Sequence, residues 1–301
     1  MSGALVRAVG LVTGWGRGIA ALPASARDAA NGRGVIGATP SRTPSDRMRR
    51  ATRECLLAVE AVDLLVEEGG LAREEIAGAG TALVYVTAAA YAASNRAFIQ
   101  GGGGALHFPY TAPSAVPAEV AIEFDLCGPY AVLIGGAAAT IDALAHAASL
   151  LARGACERVL VLAVETFKEC EDLHAGVPWL ADRPLVEAAA AALLEPAPAH
   201  GHVPSTRAVG GMSALAMGEM STRMMGELSL RTMGEMSART LGGWGGHFGA
   251  LPTSTGNSVS VGPLIALARA QASGASELTV RGDWRGRQAS LTLGIMAHAA
   301  S

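Results

Sequence analysis

The chain has 301 residues, half of them hydrophobic, enough to bury a sizeable core in one or two domains. Only 16 % are charged, the net charge is −3 and Lys168 is the only lysine, which excludes the clustered cationic surface that nucleic acids require. Signal-peptide and membrane-span patterns are absent too. The N-terminal apolar run is short and broken by glycines, and stretches such as "TALVYVTAAAYAA" fall short of a span. Cys55, Cys127, Cys156 and Cys170 are scattered without CxxC spacing. The expectation is a soluble, reduced, cytoplasmic protein with buried structural thiols.

In chain order, strand and helix patterns alternate, which predicts an α/β sheet with helices on its faces. "LVRAVGLVTG" is a first strand, followed by the glycine-rich "TGWGRGIA" (Thr13–Ala20). That turn imitates a phosphate loop, in which backbone N–H groups at a helix N-terminus face a pyrophosphate. No acidic residue closes a second strand downstream, and Lys168 has Val164, not a tyrosine, four residues before it. A plain turn without a cofactor is the better reading.

"PSDRMRRATRECLLAVEAVDLLVEEGGL" is predicted as one long helix, with Met48, Cys55, Leu56, Val59, Val62 and Leu65 at helical spacing and Gly69–Gly70 as the stop. "GTALVYVT" is a buried β run, and "NRAFIQGGGGALHFPYTAPSAVP" is predicted as a loop before a helix at "PAEVAIEFDL". Gly128–Ala155 then predicts a buried strand, a tight turn of small residues (Gly135, Gly136, Ala137, Ala138, Ala139) and a helix. That is an elbow on which enzymes mount nucleophiles, here without a reactive atom. "ERVLVLAVET" is a strand, and "LVEAAAAALLEPA", closed by Pro196 and Pro198, is predicted as an edge or terminal strand.

From Val209 the chain falls into octapeptides such as "MGEMSTRM", "MGELSLRT" and "MGEMSART". Glu219–Arg223, Glu227–Arg231 and Glu235–Arg239 are i,i+4 pairs in the favourable orientation, and the methionines approximate an apolar stripe. A glycine in each copy costs about 1 kcal/mol against alanine, but the ion pairs and the stripe predict a repeat-expanded helical insertion. The tail predicts a helix from Pro263 and strands near Leu278–Val280 and Ala289–Ile295.

The seven histidines, His107, His146, His174, His200, His202, His247 and His298, show no metal-ligand spacing, and no metal site is predicted. His247, in "GGHFGA", is the one histidine in a glycine-rich context suggestive of a site. The methionine series is better explained as an adaptable apolar stripe than as a copper(I) site.

The stretch "FPYTAPSAVPAEVAIEFDLCGPYAVLIGGAAATIDALAHAASLLARGACERVLVLAVET" resembles the β-ketoacyl synthases of the thiolase superfamily, in which a Phe-Pro loop, a Gly-Pro strand and a buried helix follow one another. Weaker resemblance extends through about the first two thirds of the chain. It implies a thiolase-like layered αβα fold. Residues 1–208 would form a ketosynthase-like N-terminal half, 209–246 an inserted octapeptide repeat, and 247–301 a remnant of the C-terminal half. The family's nucleophilic cysteine maps to Ala137, which cannot form the thiolate that accepts an acyl group. "LPTSTGNSVSVGPLIAL" resembles the family's Gly-His segment and places Asn257 at the histidine and Pro252 near the lysine.

The resemblance therefore implies a chain without activity of its own and without cofactors, similar to the chain-length factors that pair with an active ketosynthase in polyketide or fatty-acid systems. Its partners would be that subunit and, indirectly, an acyl carrier protein. Gly135, Gly136, Ala137, Ala138, Phe108 and Pro109 would then lie along the interface or an acyl tunnel. Two alternatives stand beside this reading. One is a homodimeric pseudoenzyme that binds acyl-CoA or acyl carrier protein without turnover; the other is an enzyme with chemistry relocated to His247, Asn257 or Glu165.

Overall fold

The computed structural model describes residues 4–41, 46–101, 104–172, 184–197, 256–284 and 287–296. The octapeptide stretch 209–246, His247, Pro252, His174, His200, His202 and His298 lie outside the described residues.

The elements in order are β1 (Ala4–Thr13), β2 (Gly16–Arg17), α1 (Ala26–Ala30), β3 (Val35–Ile36), α2 (Arg53–Glu68), α3 (Arg73–Ile76), β4 (Thr81–Thr87), α4 (Ala92–Ile99) and α5 (Ala115–Glu123). They continue with β5 (Tyr130–Ile134), α6 (Ala137–Ala152), β6 (Arg158–Glu165), β7 (Leu185–Val186), β8 (Ala188–Pro196), α7 (Gly262–Ala272), β9 (Glu277–Trp284) and β10 (Arg287–Ile295). One sheet runs β5-β4-β6-β8-β1-β10-β9, with β2 folded back on β1; β3 and β7 form a small parallel pair beside it. β5, β4 and β6 are parallel, β8 runs against both β6 and β1, and β10 is parallel to β1.

Helices cover both faces, giving αβα layers. Val84, Val86, Val161, Ala163 and Ala190 point to the face carrying α6 and α7. Leu83, Tyr85, Leu160, Leu162 and Ala191 point to the face carrying α2 and α5. Because β4, β6 and β8 are buried on both sides, their sequences are continuous apolar runs rather than alternating ones. In β1 the facing changes phase: Ala4 and Val6 share a face with Val9 and Leu11. A register shift between Val6 and Ala8 supplies the odd residue. The carbonyl of Arg7, at this bulge, accepts a hydrogen bond from Gln271 of α7 at 2.9 Å.

Four local expectations are corrected. The long helix is two pieces, a 3-10 turn at Arg47–Arg50 and α2, separated by Ala51 and Thr52 in extended backbone. The predicted loop contains α4 and a 3-10 turn at Ala105–Thr111, with the Asn95 side chain donating to the carbonyls of Tyr91 and Thr111. No residue of α4 is buried, so it leaves no helical periodicity in the sequence. β8 is central, not an edge, and Pro196 is tolerated because it is the strand's last residue, opposite Ala4. β5, predicted buried, is the edge of the sheet, and Tyr130 and Ile134 at its two ends are exposed. The glycine-rich turn after β1 is the plain turn expected: it leads into β2, and Gly18 N–H closes back on the Leu11 carbonyl at 2.8 Å.

Candidate functional site

The parallel strands β4, β5 and β6 end on one side of the molecule, the side on which sheets of this kind form their ligand crevices. Their turns bring together Ala88–Ala90, the elbow Gly135–Gly136 and Thr166–Phe167. Ser258–Ser260, leading into α7, joins them, as does Trp284 at the end of β9.

Glu165, the last residue of β6, is fully buried here. It accepts hydrogen bonds from the amides of Ala88 (2.6 Å) and Ala89 (3.0 Å), the hydroxyl of Ser260 (2.5 Å) and, at 3.4 Å, that of Thr87. Burial pushes its carboxyl up to about 7; the Ser260 hydroxyl and the Ala88 and Ala89 amides pull the other way. Ser260 is itself pinned to α6, because its carbonyl accepts from Thr140 Oγ1 at 2.6 Å.

Glu187, immediately before β8, is also buried but meets a cation. The Arg53 guanidinium spans both of its oxygens at 2.5 and 2.7 Å, and the amides of Ala38, Phe167 and Lys168 donate to it at 2.7 Å each. Burial acts to raise this carboxyl, but Arg53 and the amides outweigh it and hold it below its ordinary value. Arg53 also grips Glu169 and the Ala38 carbonyl. Neither Glu187 nor Arg53 was singled out in the sequence, although one acid inside "LVEAAAAALL" is a detectable signal.

The elbow is closely packed. Gly135, Gly136, Ala137 and Ala138 are all buried, at the junction of β5 and α6. A Cβ at Gly136 would lie 2.8 Å from Cζ3 of Trp284 and closer still to Cδ2 and Cε3, so only glycine admits the indole ring there. A Cβ at Gly282 of β9 would lie 2.5 Å from the Ala137 carbonyl and 2.8 Å from the Ala138 nitrogen. Phe108 and Pro109 are in a different setting, exposed on the 3-10 turn at Ala105–Thr111. The structure thus brings the four elbow residues together and leaves these two at the surface.

Asn257 has a structural assignment. Its backbone bridges Leu185 and Val186 of β7, and its Oδ1 accepts from the Val259 amide at 3.1 Å. Val259 has φ 46°, a left-handed conformation costly for a β-branched residue, and this side-chain hydrogen bond helps to hold it. His146 on α6 is half-buried, and burial together with Arg153 lowers its pKa. Among the described residues no group of three or more His, Cys, Asp or Glu side chains is placed to hold a metal ion. No described helix is long and apolar enough to cross a membrane. Cys55 is buried on α2 and its thiol is pushed up to about 12, chiefly by desolvation, which makes it inert.

A second feature is a run of exposed apolar side chains that ends on the edge strand β5. Phe98, Ile99, Phe108, Ile122, Tyr130 and Ile134 are between 38 % and 65 % exposed, and these large exposed apolar side chains all fall within residues 98–134. The Phe98 and Phe108 rings stand 5.5 Å apart, joining α4 to the 3-10 turn.

Residues 35–177 match the family model for the β-ketoacyl synthase N-terminal domain. No curated protein matches the chain by sequence. Among solved structures, the chain is similar to the ishigamide ketosynthase/chain length factor (16 % identity, TM-score 0.64, covering 96 % of this chain and 98 % of that one). It is also similar to a β-ketoacyl synthase from Burkholderia phymatum STM815 (15 %, TM-score 0.63, 97 % and 99 %). A third similar structure is a ketosynthase in complex with its chain length factor from Xenorhabdus doucetiae (13 %, TM-score 0.58, 97 % and 100 %). At these identities the likeness establishes the shared thiolase-like fold.

Proposed function

We propose that this β-ketoacyl synthase-like chain is a non-catalytic, cytoplasmic subunit that pairs with an active ketosynthase and helps to shape the path of an acyl chain, in the manner of a chain-length factor. One observation carries the reading: among the described residues β5 is an open edge of the sheet with exposed Tyr130 and Ile134, and the other large exposed apolar side chains, Phe98, Ile99, Phe108 and Ile122, precede it within residues 98–134. An unpaired apolar edge is an aggregation hazard unless another chain covers it. The other edge, β9, is blunted by the exposed Glu277, Thr279 and Arg281. The similarity to a ketosynthase in complex with its chain length factor supports a partner of the same fold. Ala137 at the elbow and Asn257 in its structural role agree with chemistry carried by the other subunit, and an acyl carrier protein would be met through that subunit. Phe108 and Pro109 stand on the proposed interface, while Gly135–Ala138 back the edge strand from within.

Co-expression with an intact ketosynthase encoded nearby is expected to give a stable one-to-one complex on size exclusion. Ile134→Lys should abolish the complex without lowering the melting temperature of the isolated chain. A chain that stays monomeric beside every such partner, or that forms only homodimers binding acyl-CoA or acyl carrier protein, would falsify this reading; the latter result would establish the pseudoenzyme.

A further inference from the structure

α4 is fastened differently from the rest of the molecule. Every other α-helix among the described residues buries at least one residue, and α4 buries none. It lies against two 3-10 turns, Ala105–Thr111 and Lys168–Cys170. Polar ties hold it. Ser94 donates to Glu54 of α2 at 3.1 Å, Asn95 donates to the Tyr91 and Thr111 carbonyls, and Arg96 pairs with Asp172. The root of the helix is firm, because the Ala88 and Ala89 amides donate to Glu165 and the Thr166 hydroxyl donates to the Ala90 carbonyl at 3.4 Å. Its far end runs into Gly101, which has φ 77° and no atom within 4 Å of where a Cβ would stand. A segment with a fixed root, a glycine at its end and no buried apolar anchor opens at lower free energy than the core.

Among these ties Glu54 stands apart, because its side chain belongs to the interior and is only 4 % exposed. It accepts hydrogen bonds from Thr52 and Ser94. Cys55 on its own helix, Tyr85 of β4 and Glu169 of the second 3-10 turn act on it or feel its charge, and none of them is a cation. Arg53, beside it in sequence, is engaged by Glu187 and Glu169. Burial raises the Glu54 carboxyl, against the hydrogen bonds that it accepts.

We infer that α4 is a hinged flap, latched by Ser94 onto Glu54, which lifts from the body as a unit while the sheet stays folded. Seated, the flap favours the protonated acid; lifted, it lets water reach the carboxylate. Closure is therefore complete below the ordinary carboxylate value and weakens as pH rises through the raised value of the seated state. Phe98 and Ile99 ride on this helix with their side chains exposed. Only the consequence for a partner, that α4 must be seated for these two side chains to meet it, rests on the ketosynthase-pairing reading. The latch rests on this chain alone.

Native-state hydrogen exchange of the full chain between pH 5 and pH 8 tests it, with the intrinsic rate of each amide divided out. The α4 amides should exchange at least about a hundredfold faster than those of β4, at a rate that low urea leaves unchanged. Their protection should fall about threefold or more across that range. In Glu54→Gln, whose neutral amide still accepts from Ser94, protection of α4 should stay level, whereas Glu165→Gln should keep the fall of the parent chain. Exchange of α4 only together with β4 overturns the flap, and an unchanged fall in Glu54→Gln overturns the latch. Should Glu54→Gln fail to fold, Ser94→Ala carries the test. It should lower α4 protection about threefold or more and leave β4 unchanged, and either no loss or an equal loss in both elements overturns the inference. Failure to pair with a ketosynthase leaves all of these outcomes intact.

Discussion

Two carboxylates lie close together at one end of the sheet and differ in the partners they meet. Glu165 pairs in the β6–β8 register with Ala188, the residue after Glu187, and both side chains are fully buried. Arg53 reaches Glu187 from α2 and forms a two-pronged ion pair with it. Glu165 is met by amides and hydroxyls, which are neutral. Burial raises both carboxyls, and only the guanidinium and its accompanying amides reverse the sign at Glu187. Both acids are closed to solvent, and the guanidinium with its accompanying amides is what keeps Glu187 ionised where Glu165 is pushed up.

Removing that cation should have the largest effect. Arg53→Met leaves Glu187 buried beside three amides and no guanidinium, and the expected loss of stability at pH 7 is about 3–5 kcal/mol. Without Arg53 the Glu187 carboxyl rises, so the deficit should shrink in acid, where the carboxyl is protonated. Urea unfolding at pH 7 and pH 5 measures both. A loss at pH 7 below 1 kcal/mol would erase the distinction between the two sites.

Glu165 should give the opposite dependence on pH. Its folded-state value, about 7, exceeds the ordinary carboxylate value of 4.5, so the native state holds the proton more tightly than the unfolded chain. The stability this supplies is complete below pH 4.5 and is lost as pH rises through 7, a fall on the order of 3 kcal/mol. Glu165→Gln removes this dependence, so the variant should gain on the parent chain steadily across that window. Glu54, raised mainly by burial, shifts in the same direction and leaves a residual fall in the variant. Glu187, held low, contributes stability that is present above its unfolded value and is lost only as pH drops below the window. Parallel pH profiles for parent and variant would show that Glu165 does not titrate there.

Much of this framework was legible in the sequence. Strands buried on both faces announce themselves as unbroken apolar runs, which is why β4 and β6 are recognisable without the structure. The Gly128–Ala155 elbow is visible because small residues interrupt an apolar strand just before a helix. The position of a strand within the sheet is not local information. Tyr130 and Ile134 look like core residues until the topology places β5 at the edge, and the alanines of β8 look peripheral until α2 on one face and α6 and α7 on the other are seen to press on them. The site itself was only half visible. Glu165 and Asn257 could be named, but Arg53, Ser260 and Trp284 come from segments far apart in the chain, and no spacing rule joins residues 53, 187, 260 and 284.

A smaller change tests the neutral side of the comparison. Ser260→Ala removes the 2.5 Å hydrogen bond to Glu165 and leaves one buried oxygen less satisfied. The expected cost is about 1–3 kcal/mol. Because that hydroxyl favours the ionised form, the carboxyl should titrate higher in the variant, and the pH-dependent loss of stability should extend to higher pH. A loss of stability with an unmoved pH profile would mean that Ser260 serves only to tie α6 to the α7 segment through its carbonyl.

The smallest effect is expected on the outer side of Arg53. Glu169 binds the same guanidinium as Glu187, at 2.5 and 2.7 Å, but its side chain is 42 % exposed. Water and salt screen an exposed pair, and double-mutant measurements on such pairs give about 0–1 kcal/mol. Glu169→Gln should therefore cost less than 1 kcal/mol, and less still in high salt, although its hydrogen bonds to Arg53 are as short as those of Glu187. Glu187→Gln, by contrast, leaves the guanidinium against a buried neutral amide and should cost several-fold more. If the two substitutions prove equal, Arg53 is held by the sum of its carboxylates and not by the buried one, and burial would lose its place as the factor separating Glu187 from Glu169.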